Sequence, residues 1–264
     1  MVLLSVETSK EDSDKFIKEA FRIIDRAQNQ QVIMRLMGGY AIRLHCPKFD
    51  YLYDVLQRKP AYDLDLVSYT RFRPQIKQIF IELGYEPMKG MALMFATGRN
   101  RQVYTDEPNN RSVDVFFDKL EMCHIIEFKN RLELDSPTIT LSDLFLQKAQ
   151  ICKINEKDIK DMMILLREHD VEKSEKETVN IGYVAKLLAD DWGFWYTVKT
   201  NLGKVQEFLA EYKGLTEADR NDIKSKIDRL SKAIEDEPKS LKWKMRSKIG
   251  TNKKWYTEVE ELVR

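Results

Sequence analysis

Three cysteines in 264 residues, Cys46, Cys123 and Cys152, are too few and too scattered for a disulfide framework, and none forms a C-x-x-C pair. That usage predicts a reducing compartment. Long hydrophobic runs are also missing. None approaches the ~20 residues of a membrane-spanning helix, and the opening Met1-Val2-Leu3-Leu4-Ser5-Val6 is too short for a signal-peptide core and is followed by acids. The expectation is a cytoplasmic protein with no membrane partner. A charge excess of either sign is lacking as well. The 44 basic and 43 acidic residues leave a formal net charge of +1, so attraction to nucleic acid has to come from a local patch. What is present, 43% hydrophobic and 33% charged residues, fits a globular chain with room for one large domain or two ordinary ones.

The stretch Ala61-Tyr62-Asp63-Leu64-Asp65-Leu66-Val67-Ser68 reads as a short strand. Alternate side chains of a strand share a face, so Asp63 and Asp65 project together while Leu64 and Leu66 point into the core. Two carboxylates side by side repel unless a cation lies between them. A hard divalent cation suits oxygen ligands, with Mg²⁺ or Mn²⁺ the natural choice where phosphates are handled. Asp114 stands on a second strand, Ser112 to Phe117, among Val113, Val115 and Phe116, where an unpartnered charge is costly. Upstream, an apolar run at Val32 to Leu36 meets Gly38-Gly39 and then helical spacing from Tyr40 to His45. Glycines ahead of a helix start can cradle a phosphate through backbone N–H groups, although alone the pair equally makes a tight turn.

In chain order the pattern predicts a helix over 11–29 with Ser13 as N-cap, the 32–36 strand, and an insertion at 47–60 with a short amphipathic piece. A helix over 73–83 ends at Gly84. Strands are expected at 85–88, 91–97 and 101–105, before the Asp114 strand. Helices follow from Thr140, which with Asp143 resembles a capping box, to about Cys152, and over 155–167. Beyond residue 170 the spacing is helical only, over 180–188, 191–213, 217–234, 239–248 and 253–263. The charged stretch 172–177 reads as a solvated linker. It separates an α/β (α+β) domain of residues 1–170, a mixed sheet flanked by helices, from an all-helical domain of residues 178–264.

A glycine turn, a D-x-D strand and a lone strand Asp, in this order, resemble the DNA polymerase beta-type nucleotidyltransferase superfamily. The resemblance covers residues 30 to 170, with Gly38 and Gly39 matching the turn, Asp63 and Asp65 the pair and Asp114 the third acid. Lys148 on one helix and Lys157-Asp158-Ile159-Lys160-Asp161 on the next look like the helical end of small prokaryotic members, including the nucleotidyltransferase toxins of abortive-infection systems. The resemblance implies a metal-dependent transfer of NMP from an NTP to a hydroxyl acceptor: RNA, protein or a small molecule. It implies catalytic and metal-binding roles for Asp63, Asp65 and Asp114, and nucleotide contacts from Gly38, Gly39, Lys148, Asp158 and Asp161. The gap between Gly39 and Asp63 is longer than the family pattern because of the 47–60 insertion.

Lys242, Lys244, Arg246 and Lys248 interleave with Trp243, a composition able to grip nucleic acid. The same pattern suits a helical hairpin that buries Trp243 and Trp255 with its lysines in water. The aromatics from Trp192 to Tyr196 read as core. Asp158 and Asp161 equally suit a salt-bridge network. His45-Cys46 and Cys123-His124 lack the spacing of a zinc site, and His169 reads as a surface residue at a helix end. The rival to an enzyme is a non-catalytic interaction or RNA-binding protein on the same fold, with a protein partner or a second copy of itself.

Overall fold

The computed structural model describes residues 10–88 and 100–259. The chain resolves into two compact units whose segments alternate in sequence. One holds Met1–Leu44, Gln57–Lys119 and Phe128–Ile139; the other holds His45–Leu56, Leu120–Glu127 and Thr140–Arg264.

The first unit is built on a five-stranded sheet. Its strands are β1 (Met34–Met37), β2 (Asp63–Ser68), β3 (Glu86–Pro87), β4 (Arg101–Asp106) and β5 (Arg111–Phe117), in the order β1-β2-β5-β4-β3. β2 and β5 run parallel and the other pairs antiparallel, so the sheet is mixed. Val and Phe crowd β5, as a central strand favours. Helices α1 (Lys10–Asn29) and α4 (Arg73–Glu82) pack on each other, α1 also on β1 and α4 on β3. The buried stripe of α1 is Ala20, Ile23, Ile24 and Ala27, at the spacing of one helical face. Ile76, Ile79 and Phe80 do the same for α4, with Phe80 stacked on Tyr104 at 4.0 Å. Gly84 ends that helix at φ +87°, as its type allows. α2 (Gly38–His45) follows directly from β1.

The second unit is helical. It contains α3 (Tyr51–Val55), α5 (Leu141–Ala149), α6 (Glu156–Glu168), α7 (Ile181–Leu188), α8 (Trp192–Glu211), α9 (Glu217–Asp236) and α10 (Leu241–Ser247). α5 packs on α6 and α8, and α9 packs on α6, α7 and α8. Side-chain caps start six of them, from Thr140, Asn155, Asn180, Asp191, Thr216 and Ser240. The expected Thr140 cap is among these, its Oγ1 accepting from the Asp143 N–H at 3.2 Å. Among the described residues no helix is long and apolar enough to cross a membrane.

Four local readings change. Ser13 lies inside α1, which already runs from Lys10, so it does not cap the helix. The stretch 172–177 joins two short parallel strands, β8 (Asp170–Glu172) and β9 (Thr178–Asn180), so the chain after 170 is not helix alone. Val171 and Val179 pair there in register, fully buried; one apolar residue per strand leaves no alternation to read. From Lys253 to Val259 the chain is irregular rather than helical, because Trp255 serves as a packing anchor. Its ring sits 5.0 Å from Tyr196 and 6.5 Å from Trp192. His169 is buried, its Nε2 2.9 Å from the His45 carbonyl. The expected strand at 91–97 lies outside the described residues.

Candidate metal centre on the mixed sheet

β2 presents Asp63 and Asp65 on one face and buries Leu64 and Leu66 on the other. Parallel pairing sets Asp65 opposite Asp114 and Asp63 opposite Ser112, so all three acids share that face. One carboxylate oxygen from each lies within 4.8 Å of the others. Asp63 and Asp65 are half-buried and Asp114 is buried. Two unit charges about 4 Å apart repel by roughly 4 kcal/mol at an effective dielectric near 20. Nothing in strand packing requires three carboxylates there.

Gly38 comes close beneath them. Its φ of +74° is left-handed, and a Cβ added to it would lie 2.5 Å from Asp65 Oδ2 and 3.3 Å from the carboxyl carbon. Both the conformation and the approach exclude a side chain. Gly39 follows in the first turn of α2, so that helix opens beside Asp65 and brings the positive end of its dipole there.

Arg101 completes the group, and nothing in the sequence pattern singled it out. β4 pairs Arg101 with Phe116 and Val103 with Asp114, which makes Arg101 a diagonal neighbour of Asp114 on the same face. Its Nη2 donates to Asp114 Oδ2 at 2.5 Å, and its guanidinium lies 5.2 Å from the Phe116 ring centroid. Its Nε is buried with no hydrogen-bond partner. An Arg at the start of β4 carries no motif; only the antiparallel register between β4 and β5 finds it. These four groups together hold a formal charge of two negatives. The donor set is hard and all-oxygen, and it converges within the span of one coordination sphere, which fits Mg²⁺ or Mn²⁺.

The other expected site residues lie in the helical unit. Lys148 Nζ is 2.9 Å from Asp158 Oδ1 and 2.8 Å from Asp161 Oδ2, all three side chains being buried. Lys148 thus ties α5 to α6. On α10 and at its C-terminal cap, Lys242, Lys244 and Lys248 are exposed. Arg246 instead donates to the Gly250 and Lys253 carbonyls and covers the Trp192 ring at 4.7 Å. Trp243 packs edge-on against Trp195 at 5.1 Å.

The sequence matches no protein-family model and no curated protein. Among solved structures it is similar to the solution structure of the antibiotic-resistance factor ANT(2'')-Ia, at 11% identity and TM-score 0.40, over 67% of this chain and 95% of that one. It is also similar to the crystal structure of an antigenic nucleotidyltransferase-like protein from Paracoccidioides brasiliensis, at 14% identity and TM-score 0.41, over 86% of this chain and 95% of that one. Superposition at that level is too loose to bear on what this chain does, so its own side chains carry the functional reading.

Proposed function

We propose that this chain is a metal-dependent nucleotidyltransferase of the DNA polymerase beta-type superfamily, moving NMP from an NTP to a hydroxyl acceptor with release of pyrophosphate. The observation that carries this is the convergence of Asp63, Asp65 and Asp114 within 4.8 Å on one sheet face, with Gly38 packed against Asp65. Asp63, Asp65 and Asp114 would hold Mg²⁺ or Mn²⁺. Such cations, bound as one or a pair, offset triphosphate charge and lower the pKa of an attacking hydroxyl.

This chain's residues supply the rest. Gly38 and Gly39 leave backbone room for a phosphate beside the start of α2. Asp114, held from one side by Arg101, is oriented to accept a hydrogen bond from the acceptor hydroxyl. Arg101 pairs with Asp114, and its reach suits a phosphate once that carboxylate is otherwise engaged. Lys148, Asp158 and Asp161 are proposed as the nucleotide-binding cluster of the helical unit; the support is a buried lysine preorganised by two carboxylates. Lys242, Lys244 and Lys248 are exposed cations suited to an RNA acceptor. The small prokaryotic, toxin-like members are the group within which we place the activity.

One observation favours a second reading. The Arg101–Asp114 ion pair can make the acids a closed structural network in a non-catalytic interaction protein. Thermal unfolding with NTP and Mn²⁺, with and without Asp63→Asn, separates the two. A ligand that binds only the folded state at a hundred times its Kd stabilises by about 2.7 kcal/mol. The enzyme reading expects stabilisation that Asp63→Asn abolishes; no stabilisation favours the network.

A further inference from the structure

Cys123 and Cys152 meet in the helical unit, away from any role given to them above. Cys123 lies in the turn between β6 (Lys119–Glu121) and β7 (Ile125–Glu127), and Cys152 in the turn after α5. The Cys152 backbone N–H donates to Cys123 Sγ at 3.3 Å. That donor favours the thiolate form of the Cys123 sulfur. Cys152 Sγ is itself 3.3 Å from Thr197 Oγ1 and 3.7 Å from His124 Nε2. Both cysteines are partly accessible, whereas Cys46 is fully buried.

We propose that Cys123 and Cys152 form a peroxide-oxidisable pair, Cys123 being the attacking thiolate and Cys152 the resolving thiol. The Cys152 hydrogen bond holds the Cys123 thiol at about 6, well below its ordinary value, against the effect of burial and with help from the backbone and Lys153. The Cys152 thiol is pushed up by the same hydrogen bond and by burial, with Thr197 and Lys204 opposing. One sulfur is thus the nucleophile and the other keeps its proton. His124 stays uncharged because burial lowers it to about 4, despite Asp191, so it contributes no opposing switch near neutrality.

The chemistry balances with hydrogen peroxide as the oxidant. The Cys123 thiolate attacks one peroxide oxygen. The O–O bond breaks, an S–O bond forms, and the second oxygen takes up a solvent proton and leaves as water. Sulfur loses two electrons and the peroxide gains them. Cys152 sulfur then attacks the sulfenic sulfur. An S–S bond forms, the S–O bond breaks, and the hydroxyl leaves with the Cys152 proton as a second water. The product joins the β6–β7 turn to the α5–α6 connection. A zinc alternative is not supported. Among the described residues the group of three or more metal-ligand atoms within 4.8 Å is the Asp triad, and Cys123, His124 and Cys152 do not make another.

The test treats the full chain with stoichiometric hydrogen peroxide and reads intact mass, then maps peptides. The expected product has lost two hydrogens, carries a Cys123–Cys152 link and is restored by dithiothreitol. Cys152→Ser is expected to stop at a sulfenic acid on Cys123 that dimedone traps, and Cys123→Ser is expected to resist. Iodoacetamide labelling of Cys123 in the unaltered protein, which needs no variant to fold, is expected to rise through about pH 6. Absence of the link with both thiols intact, or alkylation that rises only near pH 9, overturns the proposal. So does a link that involves Cys46.

Discussion

A methyl group on Gly38 would sit 2.5 Å from Oδ2 of Asp65. Backbone and carboxylate are in contact, so Asp65 is held in place from below by the absence of a side chain. Gly38→Ala is expected to move that carboxylate and to strain a left-handed residue by about 1–2 kcal/mol. Misplacement near 1 Å costs catalysis about 100-fold. The prediction is therefore a large loss of transfer activity with only a few degrees of melting temperature. A variant with near-normal activity would contradict the contact.

Asp114 and Arg101 are predicted to diverge when each is changed. Asp114→Asn strips Arg101 of its charged partner while its Nε already lacks one, so the metal-free protein is expected to lose about 1–3 kcal/mol. Arg101→Ala is expected to raise affinity for Mn²⁺ in the absence of nucleotide by at least about tenfold, because a like charge has left the site. The checks are thermal melts for the first and Mn²⁺ titration by electron paramagnetic resonance for the second. Weaker Mn²⁺ binding in Arg101→Ala would mean the guanidinium orients Asp114 more than it competes.

Lys148 is a test of the helical unit. Its removal leaves Asp158 and Asp161 buried without their cation, which typically costs about 3–5 kcal/mol. Lys148→Met is expected to lower chemical-denaturation stability by that order. Lys148→Met with both acids changed to Asn is expected to recover much of it. If nucleotide affinity falls in the stable triple variant too, the cluster also serves the ligand.

Two pH windows follow from the buried titrating groups. Burial lowers His45 to about 4, with His169 adding, and lowers His124 to about 4. Both are below their unfolded value near 6.5, so the unfolded chain binds more protons between those values. Stability they contribute is full above about pH 6.5 and is lost as pH falls toward 4. Burial would raise Asp219, but bonds from Thr216, Tyr51 and Arg167 bring it down to about 2, so its contribution survives to about pH 4 and is lost below. Urea unfolding between pH 7 and 4 is expected to show the histidine loss first. Asp219→Asn should leave that upper window unchanged.

The sheet and its acids were legible because they follow local rules. Alternation in β2 placed Asp63 and Asp65 on one face, and a strand of β-formers marked Asp114. Glycine at 38 could be read as a turn, but its contact with Asp65 depends on β1 pairing with β2. Arg101 was invisible for the same reason: only register across β4 and β5 makes it a neighbour of Asp114. The compact units exchange chain at 44/45, 56/57, 119/120, 127/128 and 139/140, whereas composition shifts only near 172–177. Periodicity along one segment says nothing of which distant segment it packs on. Trp255 illustrates this, since its helical-looking flanks yield to a contact with Trp192 and Tyr196.

The most direct measurement is transfer of label from each α-labelled NTP, with Mg²⁺ or Mn²⁺, to total cellular RNA, to protein and to small hydroxyl compounds. Unaltered protein is compared with Asp63→Ala/Asp65→Ala. Label on one acceptor class, dependent on metal and absent from the double variant, is the predicted result. Absence of transfer to any class, together with absence of metal-dependent NTP binding, would contradict the account.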